Sequence, residues 1–177
     1  MSTDETFLST PTEPTVDGIT FAQFAAPSEV NEYKRLNDSI LSEAYSVYTY
    51  HYFVDLTPTI TYSARNQKGE MIGVCICKQD ILNRKPFGYI GMLSVLPSYR
   101  GKGIAKALVI RCINQMIREH YTGVYLETEY DNVGALRLYE KMGFRRTEFL
   151  TRYYQNGNDA YRLMLQLEGI FFPCSEE

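Results

Sequence analysis

One stretch, residues 88–106, restricts what this chain can fold into more than any other. Its first part, Tyr89, Ile90, Gly91, Met92, Leu93, Ser94, Val95 and Leu96, is a mostly apolar run that reads as a buried strand. Beyond it, apolar residues recur at Ala105, Leu108, Val109, Cys112, Ile113, Met116 and Ile117, with Lys106, Arg111 and Arg118 on the other side. That is the spacing of a helix with one buried face. Between the two lie Arg100, Gly101, Lys102, Gly103 and Ile104. A strand, a Gly-rich turn and a helix leave unpaired N–H groups at the helix start, which suit a phosphate or pyrophosphate. Gly101 and Gly103 let a ligand approach the backbone, and Arg100 and Lys102 add positive charge.

Single positions exclude two nucleotide-binding patterns. A P-loop needs Gly-Lys-Ser/Thr, and Gly103 is followed by Ile104. A dinucleotide fingerprint needs Gly or Ala where Lys106 stands. A Gly-rich turn is also what a tight turn without a ligand looks like, so the rest of the chain must decide.

Residues 1–16 are rich in Ser, Thr, Pro and acids and lack a period, so residues 1–17 read as a flexible tail. Residues 19–25 alternate loosely, as a first strand. Ser28 is placed to cap a helix carrying Val30, Tyr33, Leu36, Ile40 and Leu41. Residues 42–46 break it, and Tyr45, Val47, Tyr48, Tyr50, Tyr52 and Phe53 predict a short aromatic helix. Residues 59–65 and 71–78 read as a hairpin, and residues 80–86 as a polar loop. A helix over 104–119 leads to a strand at 124–129. Asn132 caps a helix over 133–142 that Gly143 ends, and a last strand pair spans 146–153 and 160–166. The pattern is α/β with one domain over 18–167. In the extension 168–177, Ile170, Phe171, Phe172 and Pro173 read equally as a flap on the domain or as a dock for a partner subunit.

The 177 residues carry a formal net charge of −3, which argues against general nucleic-acid binding. No signal-peptide pattern and no bilayer-spanning apolar run is visible, so no membrane association is expected. Cys75, Cys77, Cys112 and Cys174 lack zinc-site spacing, and His51 and His120 are far apart. Free thiols in a reducing, cytoplasmic setting and no metal are the expectation.

The residues also match a known pattern. Arg100, Gly103 and Ala105 form Arg-x-x-Gly-x-Ala, which resembles the acetyl-CoA pyrophosphate turn of the GNAT acetyltransferases. Asn132, Ala135, Tyr139, Gly143 and Phe144 resemble that superfamily's Asn-x-x-Ala-x-x-x-Tyr-x-x-x-Gly-Phe element. Residues 89–93 and 126–129, with Arg152, Tyr153 and Tyr154, resemble protein N-terminal acetyltransferases. Ser42, Glu43, Ala44, Tyr45 and Ser46 are similar to the catalytic subunits of NatC complexes, which usually have Pro where Ala44 stands. The resemblance runs roughly from Ile19 to Leu167.

It implies an α/β (α+β) GNAT fold: a mixed, mostly antiparallel sheet with a splayed strand pair that admits acetyl-CoA, and helices on both faces. It implies that Arg100, Gly101, Lys102, Gly103, Ile104 and Ala105 hold the pyrophosphate. Backbone N–H groups of Leu93, Ser94 and Val95 would meet the pantetheine arm, with Asn132 and Tyr139 touching the cofactor. Glu127 is the candidate base, in an apolar run with Glu129 on the same face. Tyr139 is the candidate acid toward sulfur, and Tyr89 a second base or substrate contact. Glu43, Tyr45, Tyr89, Tyr153 and Tyr154 would clamp a peptide N-terminus beginning Met followed by a large apolar residue. Auxiliary subunits of a NatC-type complex, and through them the ribosome, are the implied partners. The competing readings are an acetyltransferase for lysine or a small amine, which the loops at 43–45 and 153–154 disfavour, and a non-catalytic acyl-CoA-binding subunit, which Glu127 and Tyr139 together disfavour.

Overall fold

Residues 10–168 are described in this computed structural model. The apolar residues 170–173 and Cys174 lie outside them, as does the first half of the expected tail. Seven strands make one sheet: β1 (Thr20–Gln23), β2 (Tyr62–Arg65), β3 (Met71–Leu82), β4 (Lys85–Val95), β5 (Gly123–Glu129), β6 (Arg145–Leu150) and β7 (Ala160–Gln166). Their order across the sheet is β1-β2-β3-β4-β5-β7-β6. Only β4 and β5 run parallel, because the helix α3 (Ile104–Arg118) crosses over between them. The other helices are α1 (Glu29–Asp38), α2 (Val47–Leu56) and α4 (Val133–Lys141).

Two cores share β3, which explains its unbroken apolar run. Val74 and Ile76 pack with Val30, Tyr33, Tyr50 and Phe53 of α1 and α2. Cys75 and Cys77 pack with Leu108, Cys112 and Met116 of α3, in the core that also holds Leu136 and Tyr139 of α4. The alternation along one strand thus fills both faces. Cys75, Cys77 and Cys112 are free and buried, with their Sγ atoms within 4.8 Å of one another.

Three expectations are corrected. Residues 80–86 are not a polar loop: β3 and β4 continue to a two-residue turn at Asn83 and Arg84, both with positive φ (50° and 64°). Two left-handed residues match the twist of a hairpin, and Arg is not a residue that signals such a turn. Ser28 makes no capping bond through its side chain; Glu29 accepts from Ala25 N and Tyr33 Oη instead. Residues 10–17 do not behave as a free tail. The carbonyls of Pro11 and Pro14 accept from Asn114 Nδ2 and Arg111 Nη1 on α3, both at 2.9 Å. Asn114 is 2% exposed, and a buried amide demands such partners.

The feature that positions the site is a bulge. Ile76 stands opposite Met92 and Cys77 opposite Ile90, so Gly91 is an extra residue on β4. A Cβ on Gly91 would lie 2.2 Å from Cε1 of Phe53. The bare backbone therefore lets α2 seat against the bend. β4 and β5 pair at Phe87–Gly123, Gly88–Val124 and Tyr89–Tyr125 and no further. Beyond the bulge they part.

Gly91→Ala should force Phe53 out of its seat. Overpacking of this kind costs about 1–3 kcal/mol, or roughly 2–12 °C in a domain of this size. Thermal unfolding checks it; an unchanged midpoint would remove the close approach from the account.

Candidate active site

The parting of β4 and β5 opens a cavity of about 920 Å³. It runs from the turn at residues 100–105, past Leu93 and Glu127, to Glu43, Tyr45 and Tyr154. Gly101 and Gly103 have φ of 76° and 84°, and a Cβ on either would meet nothing within 4 Å. The turn is open on that side and needs residues that tolerate positive φ. The first bond within α3 is Ala107 N to the Gly103 carbonyl. The N–H groups of residues 104–106 therefore stay unpaired by the helix, as a site for an anion of pyrophosphate type requires. Arg100 Nε donates to the Val95 carbonyl at 3.0 Å, tying the turn to the end of β4. Lys102 Nζ sits 5.1 Å from the Tyr99 ring centroid.

The ladder decides which amides face the gap. Leu96 N donates to the Ile72 carbonyl at 2.9 Å. Alternation along an antiparallel pair then turns Ser94 N–H toward β3, and Leu93 and Val95 N–H toward the space that β5 vacates. Of the three amides expected to meet the arm, those of Leu93 and Val95 point into the gap and that of Ser94 points to β3.

Glu127 lies on β5 at the cavity wall. Its Oε1 accepts from Arg162 Nη2 at 3.0 Å, and its side chain is 5% exposed. Its Oε2 is buried with no protein hydrogen-bond partner. Arg162 stands directly opposite Glu127 on β7, and also pairs with Glu148 at 3.2 Å. Sequence reasoning missed Arg162, because only the β5–β7 register names a cross-strand partner. Glu129, on the same face, accepts from Asn158 Nδ2.

Tyr139 is 4% exposed, lines the cavity, and meets Phe144 edge-on with centroids 5.3 Å apart. Burial pushes its hydroxyl pKa well above the ordinary value, with the nearby thiols adding to it. It stays protonated at neutral pH. Asn132 Oδ1 accepts from Ala135 N at 3.1 Å and caps α4 as expected.

Tyr89 sits outside the cavity lining, beyond Glu127. Burial raises its pKa, and the charge of Glu127 and the nearby Tyr153 raise it further. Tyr153 and Tyr154 stack edge-on at 5.1 Å, and burial raises both. Glu43 both lines the cavity and accepts from Gln155 N at 2.8 Å, which bridges the α1–α2 loop to the β6–β7 loop. The carbonyl of Tyr45 accepts from Lys34 Nζ at 2.9 Å. The structure thus brings together Glu127, Tyr139, Glu43, Tyr45 and Tyr154 around one cavity, with Tyr89 and Tyr153 beside it.

Residues 30–144 match the model of the acetyltransferase (GNAT) family. The chain is 48% identical over 139 residues to N-alpha-acetyltransferase 30 of Saccharomyces cerevisiae, covering 76% of this chain and 79% of that protein. It is 42% identical over 147 residues to N-alpha-acetyltransferase MAK3 of Arabidopsis thaliana, covering 83% and 77%. Among solved structures it is similar to a chain of the NatC complex bound to Gag peptide and CoA. There the TM-score is 0.81 and the identity 44%, over 84% of this chain and 98% of that one.

Arg162→Met should leave the buried Glu127 carboxylate without its partner. Breaking such a pair costs about 3 kcal/mol, roughly 6–12 °C here. Adding Glu127→Gln to that variant should recover part of the loss. Thermal midpoints of the two single variants and the double variant check it; simple additivity would mean that the pair is not coupled.

Proposed function

We propose, from the premise that this chain belongs to the GNAT acetyltransferase family and is an N-alpha-acetyltransferase, how its own residues carry out the transfer and on which N-termini. The reading is a NatC-type enzyme for peptides beginning Met followed by a large apolar residue. One observation carries it. Glu127 has one carboxylate oxygen anchored on Arg162 and the other buried, unpaired, at the wall of a cavity whose far end is an anion-binding turn.

The turn fits a CoA pyrophosphate on this structure's own geometry: two glycines at positive φ, open space on their free side, and unpaired N–H groups. Residues 100–105 would hold that group, with Asn132 beside it. When bound, acetyl-CoA supplies the acetyl group as a thioester. Leu93 and Val95 N–H face the gap in which the thioester carbonyl would lie, as donors to developing negative charge. Glu127 Oε2 takes the proton of the α-amine, directly or through one water. An α-amine titrates near pH ~8, so modest assistance suffices. Tyr139, held protonated by burial, gives its proton to the leaving sulfur.

Glu43, Tyr45, Tyr153 and Tyr154, with Tyr89, clamp the first residues of the peptide. Their rings favour apolar side chains: burying one gains about 1.5–3 kcal/mol, while a carboxylate at the second position would be desolvated without a partner. Ala44, in place of the Pro usual in NatC subunits, loosens this loop. Auxiliary subunits and, through them, the ribosome are the proposed partners, in the cytoplasm. Among the described residues no helix is long and apolar enough to cross a membrane.

Glu127→Gln keeps the shape and loses the base. We expect kcat to fall about 10²–10⁴-fold with acetyl-CoA affinity nearly unchanged. The substrates are Met-Leu, Met-Ile and Met-Phe peptides, set against peptides beginning Ser or Met-Asp, which should be poor. Steady-state kinetics over that panel decides. Wild-type kcat in the variant would remove Glu127 as the base, and equal rates across the panel would remove the selectivity.

A further inference from the structure

Lys78 takes no part in the mechanism above, yet its surroundings are unusual. It stands on β3 opposite Tyr89 on β4, which in turn stands opposite Tyr125 on β5. Directly opposed residues share a face of the sheet, so all three lie on the side where Glu127 and Arg162 project. Lys78 Nζ lies 5.4 Å from the ring centroid of Tyr52, 5.9 Å from that of Phe53 and 5.4 Å from that of Tyr89. Among the described residues no carboxylate forms an ion pair with it. Asp80, two positions along on the same face, is hydrogen-bonded by the Tyr125 hydroxyl and the Ile81 N–H and feels the Lys78 charge only at longer range. A half-buried ammonium with three ring faces around it and no carboxylate in direct contact is held by those rings.

The three rings are not independent of the site. Phe53 seats against the Gly91 bulge that opens the cavity. Tyr89 packs 6.1 Å from Phe53 and 4.8 Å from Tyr125, centroid to centroid. Its hydroxyl lies in the field of Glu127 and beside Tyr153. A cation on the ring face of a phenol fixes the ring and withdraws electron density from it, which makes the hydroxyl a better donor.

We propose that Lys78 is a positioning residue for acetyl transfer: its ammonium clamps Tyr89 between α2 and β5 and holds the Tyr89 hydroxyl as a donor beside Glu127 and the incoming amine. This rests on the reading of Tyr89 as a contact in the transfer. It adds a role for a residue that does not line the cavity.

The test is a double-variant cycle with the full chain and whatever auxiliary subunits co-purify with it, using acetyl-CoA and a Met-Leu peptide. Lys78→Met keeps the stem and removes the charge, Lys78→Arg keeps a cation, and Tyr89→Phe removes the hydroxyl. Lys78→Met should lower kcat about tenfold, the scale of a partly desolvated cation–π contact, with acetyl-CoA affinity and thermal midpoint little changed. Lys78→Arg should recover most of the loss. In the Tyr89→Phe background, Lys78→Met should cost nothing further. Wild-type kcat in Lys78→Met, equal losses in the Met and Arg variants, or the same loss with and without the Tyr89 hydroxyl would each overturn the proposal. A failure confined to the Lys78 variants leaves a Tyr89→Phe loss standing. An inert Tyr89→Phe overturns the reading of Tyr89 and the Lys78 proposal with it.

Discussion

The parting of β4 from β5 is the constraint on which the rest depends. A continuous sheet would satisfy the N–H groups of Leu93 and Val95 across to β5 and leave no space between the strands. Here the pairing stops at Tyr89–Tyr125, and the extra residue Gly91 bends β4 immediately beyond it. The exposed amides are the cost of the gap. A buried amide left unpaired is expensive, so the gap is stable only where a ligand or water can pair with them. The same bend receives Phe53, which locks α2 and the loop preceding it against the cavity. One glycine thus couples the sheet defect to the placement of the loop that carries Glu43 and Tyr45.

Within the gap, the electrostatics turn on Glu127. Removing a carboxylate from water costs several kcal/mol unless a charge and hydrogen bonds replace the solvent. Arg162 supplies both, but to one oxygen only. The arrangement is a compromise. A carboxylate paired at both oxygens would have no lone pair free toward the cavity, and one without Arg162 would be a buried charge without a partner. Tyr139 shows the opposite use of burial. Nothing compensates its charged form, so the environment keeps the proton on the hydroxyl. Two groups on one cavity are thus packed differently: Glu127 keeps a charged partner on one oxygen, and Tyr139 has none.

Much of this was legible in the sequence, for identifiable reasons. The strand, turn and helix around residues 88–106 combine a clear period with glycines that only a positive-φ turn explains, and Asn132 sits in cap position. Fold class and the cavity's polar ends follow from these. Contacts between residues far apart were not legible. Arg162 meets Glu127 through the β5–β7 register, and Gln155 meets Glu43 across 112 positions. The hairpin turn at Asn83 and Arg84 was hidden because Arg84 carries no turn signal. The placement of residues 10–17 was hidden because their composition says nothing of Asn114, the buried amide that recruits them.

The central claim is that this cavity accepts an α-amine presented at a chain end and no other amine. Mass spectrometry of acetyl transfer to two otherwise identical Met-Leu peptides tests it most directly. Both carry a lysine within the sequence; one has a free α-amine, and in the other that amine is blocked. The account predicts acetylation of the first at its N-terminus and none of the second. Efficient acetylation of the lysine in the blocked peptide would contradict it.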